Sequence, residues 1–360
     1  MTVTDLEAPP RVVQQLPTPR RPKSARIHVD VQLVVLIGAT VCLMAFFGAQ
    51  RPVFFTSQNL LGILSQNAAT FIVAAGAALL LMAGFIDMSV GSAMALAGVA
   101  AAFAFLEHGL VAGAAAGIAV GVAMGVFNGL LVGFAGLSPI VVTLGGLAAA
   151  RGLAQFLSPG SLYGLPPEVL ELGSGSFIGI PYLVWAAALV CVAFAFVSSR
   201  LPAGKHALAI GANQRAAFLS GVVVKRFVFL LYVAVGASVG VAAVLQVARL
   251  GSAPSGTLGI GFETAILTAV LLGGVPFTGG RGSVVGVVLG VWLIGVLNNG
   301  LTLMNVPPEA SGIVTGLVLI LAAASSLTAT PRARELGRKA KDRFSALSRS
   351  FVPTNRTKGK

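Results

Sequence analysis

Charged residues are scarce in this sequence. Only 10% of its 360 residues are Asp, Glu, Lys or Arg, whereas a soluble domain usually carries about 25%. This deficit excludes a water-soluble core inside a charged shell, and 56% of the residues are hydrophobic. The sequence also contains 45 glycines, and glycine is more frequent in membrane helices than in the helices of soluble proteins. We therefore expect a lipid bilayer to be the solvent of this chain.

Cysteine, histidine and nucleotide-binding motifs are also rare or absent. Cys42 and Cys191 lie in apolar stretches, where we interpret them as small buried hydrophobic residues and not as a disulfide or metal pair. His28, His108 and His206 are far apart along the chain, so no metal site is predicted. No phosphate-binding G-x-x-x-x-G-K-[ST] loop occurs. We expect no cofactor, catalytic residue or hydrolysis on this chain.

Ionisable side chains hardly occur within the apolar runs. Ion-coupled carriers generally hold a carboxylate in the membrane. The candidates are Asp87, at a predicted helix start where capping explains it equally well, and Glu263, near the outer boundary of its run. Arg151 lies within a predicted span and is expected to snorkel or to pair with backbone carbonyls. The energy source for any translocation is therefore expected on another chain.

The surplus of basic residues is concentrated in the tails. A net charge of +13 could indicate nucleic-acid binding, but five Lys and Arg residues precede Asp30 and ten follow Pro331. Basic tails of this kind are typical of contact with an anionic membrane surface. We therefore expect membrane lipid, and not nucleic acid, beside these tails.

Hydrophobic runs predict ten membrane crossings. Nine runs approach the roughly 20 residues that a spanning helix needs, and a tenth, Gly259–Val275, is shorter and carries Glu263. Ten crossings place 21 of the 24 Lys and Arg residues on the cytoplasmic side, as the positive-inside rule requires. Nine crossings would move the basic C-terminal tail to the outer side. The nine longer runs are Val31–Gly48, Asn67–Gly84, Met88–Leu106, Leu110–Gly133, Leu137–Leu157, Phe177–Val197, Phe227–Ala248, Ser283–Met304 and Ser311–Leu327.

The predicted fold class is all-α, a polytopic membrane helix bundle with about ten transmembrane helices and two weakly repeated halves. A basic, Pro-rich cytoplasmic N-tail covers residues 1–30. The transmembrane domain covers residues 31–328, and a basic cytoplasmic C-tail covers residues 329–360. Both termini are expected in the cytoplasm.

Two patterns concern helix packing and the repeat. Seven glycines recur every four residues from Gly109 to Gly133, and small residues let membrane helices approach closely. A weak internal echo relates Gly84–Ser92 to Gly273–Ser283, and another relates Asn128–Leu130 to Asn299–Leu301. Duplicated halves are common among transporters.

The segment from residue 198 to residue 226 is polar and lies between the sixth and seventh predicted spans. Its composition predicts helix from Ala207 to Ser220. A cytoplasmic loop of this length is a natural docking surface for a partner, and a solvated connector is the alternative.

Several short motifs follow one another in a fixed order. They are Ile86–Ser92, Asn128–Leu131, Thr143–Gly145, Ala150–Leu153, Ala209–Asn213, Ala216–Gly221, Gly279–Ser283 and Leu297–Leu301. With these motifs the chain resembles, from Val31 to Leu327, the permease subunits of bacterial ribose-type ABC importers. Each motif alone is weak, and their order and topology make the resemblance specific.

This resemblance implies a permease that forms the pathway for a ribose- or xylose-like monosaccharide in the bacterial inner membrane. The implied partners are a cytoplasmic ABC ATPase subunit that holds ATP and Mg, a second permease copy or paralogue, and an extracytoplasmic sugar-binding protein. A stand-alone secondary carrier or facilitator for a small polar solute is the alternative, and a non-transporting scaffold is a third hypothesis.

The resemblance also implies a coupling helix that seats in a groove of the ATPase. Family members often carry acidic residues before the paired alanines, whereas this sequence has Gln214 and Arg215 there. The local charge pairing with the ATPase is therefore in question. The predicted coupling residues are Gly211, Asn213, Ala216, Ala217 and Gly221.

Two further sets of residues are candidates for the gate and the pathway. The gate motifs fall at predicted cytoplasmic turns, and we interpret them first as helix caps and turns; they are Asp87, Ser89, Gly91 and Ser92, with Gly280, Arg281, Gly282 and Ser283. Polar residues within spans either line the pathway or form hydrogen bonds between helices. These candidates are Asn67, Asn128, Thr143, Gln155, Asn298 and Asn299.

Overall fold

The computed structural model describes residues 31–307, 310–314, 316–318 and 320. Both predicted tails and much of the last predicted span lie outside these residues. In the described part the chain is an all-α bundle, as predicted, with two short antiparallel strand pairs. These pairs are β1 (Ser161–Leu162) with β4 (Ala253–Pro254), and β2 (Ser176–Phe177) with β3 (Ile180–Pro181).

Twelve α-helices make up the bundle between residues 31 and 303, and residues 310–314 and 316–318 are also helical. The helices are α1 (Val31–Gln50), α2 (Ser57–Gln66), α3 (Ala68–Met82), α4 (Val90–Gly129), α5 (Pro139–Leu157), α6 (Pro167–Ser174), α7 (Tyr182–Arg200), α8 (Pro202–Ala212), α9 (Gln214–Leu219), α10 (Val224–Leu250), α11 (Phe262–Leu272) and α12 (Val284–Leu303).

Six described helices are long and apolar enough to cross a membrane. Helices α2 and α3 add a seventh span if the pair, bent by 50° at Asn67, is counted as one. The Asn67 side chain donates a hydrogen bond to the Ile63 carbonyl at 2.8 Å, so a polar residue closes α2 where the chain bends. Helix α11 is apolar but only 11 residues long.

Helix α4 is two antiparallel helices joined at Gly109. This glycine has φ +79° and ψ −173°, which interrupt the helix. A Cβ added at Gly113 would overlap the Phe105 ring, and one at Gly117 would lie 3.0 Å from the Ala101 Cβ. In one straight helix residues 101 and 117 would be about 24 Å apart, at 1.5 Å per residue. Residues 90–108 therefore pack directly against residues 110–129.

The glycine stripe of the second half of α4 packs on the backbone of α10. A Cβ at Gly121 would overlap the Gly236 carbonyl oxygen and lie 2.6 Å from the Gly240 nitrogen. At Gly125 it would overlap the Tyr232 carbonyl oxygen. Larger residues at these positions would separate the two helices. Helix α10 is buried along most of its length and lies at the centre of the main hydrophobic cluster.

Basic residues gather at the end of the bundle that carries α8 and α9. Arg200 closes α7, Lys205 lies in α8, and Arg215 lies in α9. We call this end the basic end. The turn after α3 and the loop between α11 and α12 reach the same end, because the Gly280 amide donates a hydrogen bond to the Met82 carbonyl at 2.8 Å.

The hairpin in α4 predicts the sidedness of its turn. Glu107 is 71% exposed beside Gly109, and Ala135 follows the other end of the hairpin. In a background with serine at Cys42 and Cys191, cysteines at positions 107 and 135 should react with an impermeant thiol reagent from opposite faces of the membrane. One unbroken helix would instead bury position 107 in lipid and leave it unlabelled from both faces.

Candidate functional site

Several of the residues singled out in the sequence meet at two places in the bundle. The first we call the polar cluster, formed by Asp87, Ser89 and Asn128. The Asp87 carboxylate accepts hydrogen bonds from the Ser89 backbone amide at 2.8 Å and from its hydroxyl at 2.6 Å. The Asn128 Nδ2 group donates to Asp87 Oδ2 at 3.2 Å and to Ser89 Oγ at 2.9 Å.

Asp87 organises the start of α4. Ser89 is the N-cap residue of this helix, and its own side chain makes no capping hydrogen bond. Asp87 instead accepts from the Ser89 amide, as in an Asx-turn, and so fixes the turn from which α4 begins. Burial raises the pKa of the Asp87 carboxyl, and the hydrogen bonds from Ser89 and Asn128 oppose this rise.

Two neighbouring helices close the polar cluster. The Tyr232 hydroxyl of α10 donates to the Ile86 carbonyl at 2.9 Å. On the α5 side, a Cβ at Gly146 would lie 3.4 Å from Asn128 Oδ1, which has no hydrogen-bond partner within the described residues. Thr143, one turn earlier, is fully buried and donates to the Pro139 carbonyl at 2.8 Å. The cluster is therefore enclosed, with one acceptor atom unsatisfied.

The second meeting place we call the glycine junction, formed by Met82, Gly84, Gly211, Gly279 and Gly280. The Gly280 amide donates to the Met82 carbonyl at 2.8 Å. A Cβ at Gly211 would overlap that carbonyl oxygen and the Gly280 nitrogen. One at Gly279 would lie 2.6 Å from the Gly84 nitrogen. Three separate chain segments thus touch through backbone atoms at the basic end.

The other predicted gate residues lie in caps and close contacts. The Ser92 hydroxyl donates to the Ser89 carbonyl at 2.9 Å, and the Ser283 hydroxyl caps α12 by accepting from the Gly286 amide at 3.0 Å. A Cβ at Gly91 would overlap the Gly259 carbonyl oxygen. Arg281 and Gly282 lie in the same loop as Gly280, just before α12. These positions agree with capping and turn roles, and their role in gating stays a prediction.

The predicted single helix from Ala207 to Ser220 is divided at Asn213. This residue is extended, with φ −163°, and its side chain accepts a hydrogen bond from the Ala216 amide at 3.0 Å. An asparagine in this conformation ends α8 and caps α9. Ala217 is the buried residue of α9, and Gly221, with φ +90°, turns the chain toward α10.

The outer face of α9 is apolar although it lies among basic residues. Phe218 is 65% exposed and Leu219 is 76% exposed. Beside them is a groove of about 560 Å³. Its lining combines two basic with three apolar side chains and one amide: Gln214, Arg215, Phe218, Val223, Val224 and Lys225.

The six predicted pathway residues do not form one site. Asn67 lies at the bend between α2 and α3, Gln155 is exposed on α5, and Asn128 and Thr143 lie in or beside the polar cluster. Asn299 exchanges two hydrogen bonds with Asn59 of α2, at 2.9 and 3.0 Å.

Asn298 alone of the six lines a large cavity, of about 630 Å³, between α11, α12 and the helical residues after 310. Among the described residues, none of those that line this cavity is charged. It is lined by Gly261, Thr264, Ala265, Thr268, Asn298, Thr302, Val306, Ser311, Gly312 and Gly316.

Several contributing residues escape sequence reasoning. Asn59, Tyr232 and Met82 act through partners more than 140 positions away, so no local pattern marks them. Arg151 pairs with backbone carbonyls, as one of its two predicted arrangements required, donating to Ser255 at 3.1 Å and to Leu258 at 2.7 Å. Within the described residues, no group of His, Cys, Asp and Glu could hold a metal ion.

Comparison with known proteins identifies the family. Residues 59–323 match the family described as "Branched-chain amino acid transport system / permease component". The D-allose transport system permease protein AlsC of Escherichia coli is 34% identical over 78% of this chain and 87% of its own length. The ribose import permease protein RbsC of the same species is 34% identical over 79% of this chain and 90% of its own length.

A third relative, the L-arabinose ABC transporter permease protein AraH of Azospirillum brasilense, is 32% identical over 81% of this chain and 87% of its own length. No solved structure matches significantly. The family match spans most of the bundle, including the polar cluster, α8, α9 and the glycine junction. The chain therefore belongs to this family of transport-system permease components.

Proposed function

We propose that the chain is the membrane-spanning permease subunit of an ATP-driven importer of a monosaccharide. One observation carries this proposal: relatives named as allose, ribose and arabinose permeases match more than three quarters of the chain. The permease forms the conduit and is not itself an enzyme. ATP hydrolysis belongs to a separate ATPase subunit, and an extracytoplasmic binding protein delivers the sugar.

The structure gives the carrier alternative little support. A secondary carrier would need an intramembrane carboxylate that binds a coupling ion. Asp87 is engaged by Ser89 and Asn128 in forming the turn before α4. Glu263 lies in the first turn of α11, where the helix dipole stabilises a negatively charged side chain.

The ten-crossing topology is supported by several features. The two halves of α4 count as two spans because they pack as a hairpin, and α2 with α3 counts as one. In this proposal α11 and the predicted span Ser311–Leu327, whose described residues are helical, are two more crossings. The basic end then faces the cytoplasmic side of the bacterial inner membrane, and both termini lie on that side, as the positive-inside rule predicts.

A duplication of the two halves is supported by matching helix ends. Helices α3 and α11 both end in a Schellman motif, with Gly84 at φ +82° and Gly274 at φ +94°. Each is followed by a loop and by a helix with a serine N-cap, Ser89 or Ser283. The corresponding 6→1 bonds join the Phe85 amide to Leu80 O (3.1 Å) and the Val275 amide to Val270 O (3.2 Å).

We call exposed Phe218 and Leu219, with the groove beside them, the α9 surface. This surface is the proposed contact with the ATPase. Exposed Phe218 and Leu219 would be costly in water and are typical of an interaction site. Arg215 and Lys225 beside them favour a groove with acidic residues on the partner. Asn213 and Gly221 fix the two ends of this short helix, and Ala217 seats it on the bundle.

We propose that the cavity lined by Asn298 forms part of the sugar pathway. A second permease copy or a paralogue would form the rest of that pathway. Its volume of about 630 Å³ lies in the range of small-molecule sites. Thr302 is exposed, and its hydroxyl donates to the Asn298 carbonyl at 2.9 Å. The Thr302 oxygen atom keeps free acceptor capacity for a hydroxyl group of an uncharged sugar.

Reconstitution tests the division of labour between subunits. Proteoliposomes holding this chain, its ATPase and a binding protein should accumulate one of D-ribose, D-allose, L-arabinose or D-xylose when ATP is supplied. Liposomes with this chain alone should accumulate none of these sugars, because ATP hydrolysis is assigned to the separate ATPase subunit. Uphill uptake by the chain alone would favour the carrier alternative.

Substitution of Asp87 separates a capping role from ion coupling. In Asp87→Asn the retained Oδ1 still accepts from Ser89, and a flip of the Asn128 amide lets its unpaired Oδ1 accept from the new Nδ2 in place of the bond to Asp87 Oδ2. Uptake should stay within about threefold of wild type, whereas Asp87→Ala should lower stability by about 1–3 kcal/mol through loss of the hydrogen bonds that Ser89 and Asn128 donate. Abolished uptake in a stably folded Asp87→Asn protein would point to ion coupling.

Removal of one hydroxyl tests the cavity. Thr302→Val should lower the sugar uptake rate by about three- to tenfold through loss of a hydrogen bond, while the affinity of the separate binding protein stays unchanged. Thr40→Val is the matched control, because the Thr40 hydroxyl also donates to the carbonyl four residues earlier but lies in α1, away from the cavity. Equal uptake by Thr302→Val and wild type would remove this cavity from the pathway.

A further inference from the structure

The glycine junction joins three segments that are far apart in the sequence. They are the turn after α3, the last turn of α8, and the loop between α11 and α12. We propose that the junction makes these segments move as one body, so that Gly211 is the positioning residue that transmits motion of α9 to the starts of α4 and α12. This inference rests on the proposed function, and it names the connection through which the ATPase acts.

The contact at Gly211 is made by backbone and not by flexible side chains. A Cβ at this position would overlap the Met82 carbonyl oxygen and the Gly280 nitrogen, and would lie 3.1 Å from the Gly279 carbonyl carbon. Side chains can change rotamer to absorb a shift, whereas packed backbone segments have no such freedom. A displacement of α8 must therefore displace the two segments that it touches.

The two touched segments are also tied to each other. The Gly280 amide donates to the Met82 carbonyl, so the hydrogen bond runs through the same oxygen that Gly211 approaches. A Cβ at Gly279 would lie 2.9 Å from the Gly84 Cα, which leaves no space for independent sliding. The turn and the loop therefore form one contact with α8 instead of two separate ones.

Each segment leads directly into a long helix of the bundle. Four residues separate Gly84 from the N-cap Ser89, where the polar cluster fixes the start of α4. Two residues separate Gly280 from Ser283, which caps α12. Helix α12 carries Asn298 and Thr302 of the proposed pathway cavity. The junction thus stands between the α9 surface and a wall of that cavity.

The substitution Gly211→Ala tests the connection. Alanine favours a helix over glycine, so α8 itself gains stability and only the contact is disturbed. In the reconstituted complex, sugar uptake per ATP hydrolysed should fall about tenfold or more, while basal ATP hydrolysis stays within about twofold. The control is Gly38→Ala in α1, where an added Cβ meets no atom within 4 Å, and its uptake per ATP should equal that of wild type.

An assembled Gly211→Ala complex with the wild-type uptake per ATP would overturn the inference and leave the proposed function intact. Failure of the wild-type complex to import any sugar with ATP would instead overturn the proposed function. If the variant does not assemble, the inference is tested by measuring amide hydrogen exchange of residues 276–283 in the wild-type complex. Protection of the Gly280 amide should persist with and without a non-hydrolysable ATP analogue, and its loss in either state would contradict a junction that moves as one body.

Discussion

Contact between backbones is the interaction on which this bundle depends. Lipid tails are as apolar as leucine, so burial of apolar side chains gives membrane helices little reason to associate. Packing must supply the attraction, and it is strongest where nothing larger than hydrogen separates two chains. Gly121 against Gly236, and Gly125 against Tyr232, provide this contact at the centre of the molecule. Helix α10 can therefore hold both the polar cluster and the hairpin of α4 in place.

The same principle governs the basic end with a different result. In the centre, glycines occur in regular helices and make a long, continuous contact. At the glycine junction they occur in loops and at a helix end, where three segments meet at one point. The first arrangement resists separation of helices along their length. The second arrangement links three segments at one point and does not run along the length of their helices.

Much of the fold is readable from the sequence because the bilayer imposes length and apolarity on each crossing. Helices α1, α5, α7 and α12 lie close to their predicted runs. The division at Asn213 of the helix expected from Ala207 to Ser220 was not predicted, since helical composition does not show that an asparagine takes an extended conformation and caps the next helix. The short α11 agrees with the weakness of its hydrophobic run.

The candidate site is only partly readable, because its connections are long-range. The motif around Asp87 marks a helix start, and the structure adds that Asn128, 41 residues away, completes its hydrogen bonding. Asn299 is one of six similar polar residues in the sequence, and only its partner Asn59 shows that it joins two helices. Nothing local marks Met82, which contributes a carbonyl oxygen and no side-chain chemistry.

Gly109 has a consequence for how the chain sits in the membrane. A single residue joins the two halves of α4, so the folded chain has no loop between them that could reach into water. In lipid every backbone amide and carbonyl group needs a partner within the protein, and the two helical halves supply these partners up to the turn itself. The folded hairpin therefore holds both halves at the same depth, and a residue inserted beside Gly109 would shift one half along the other and misalign their glycine contacts.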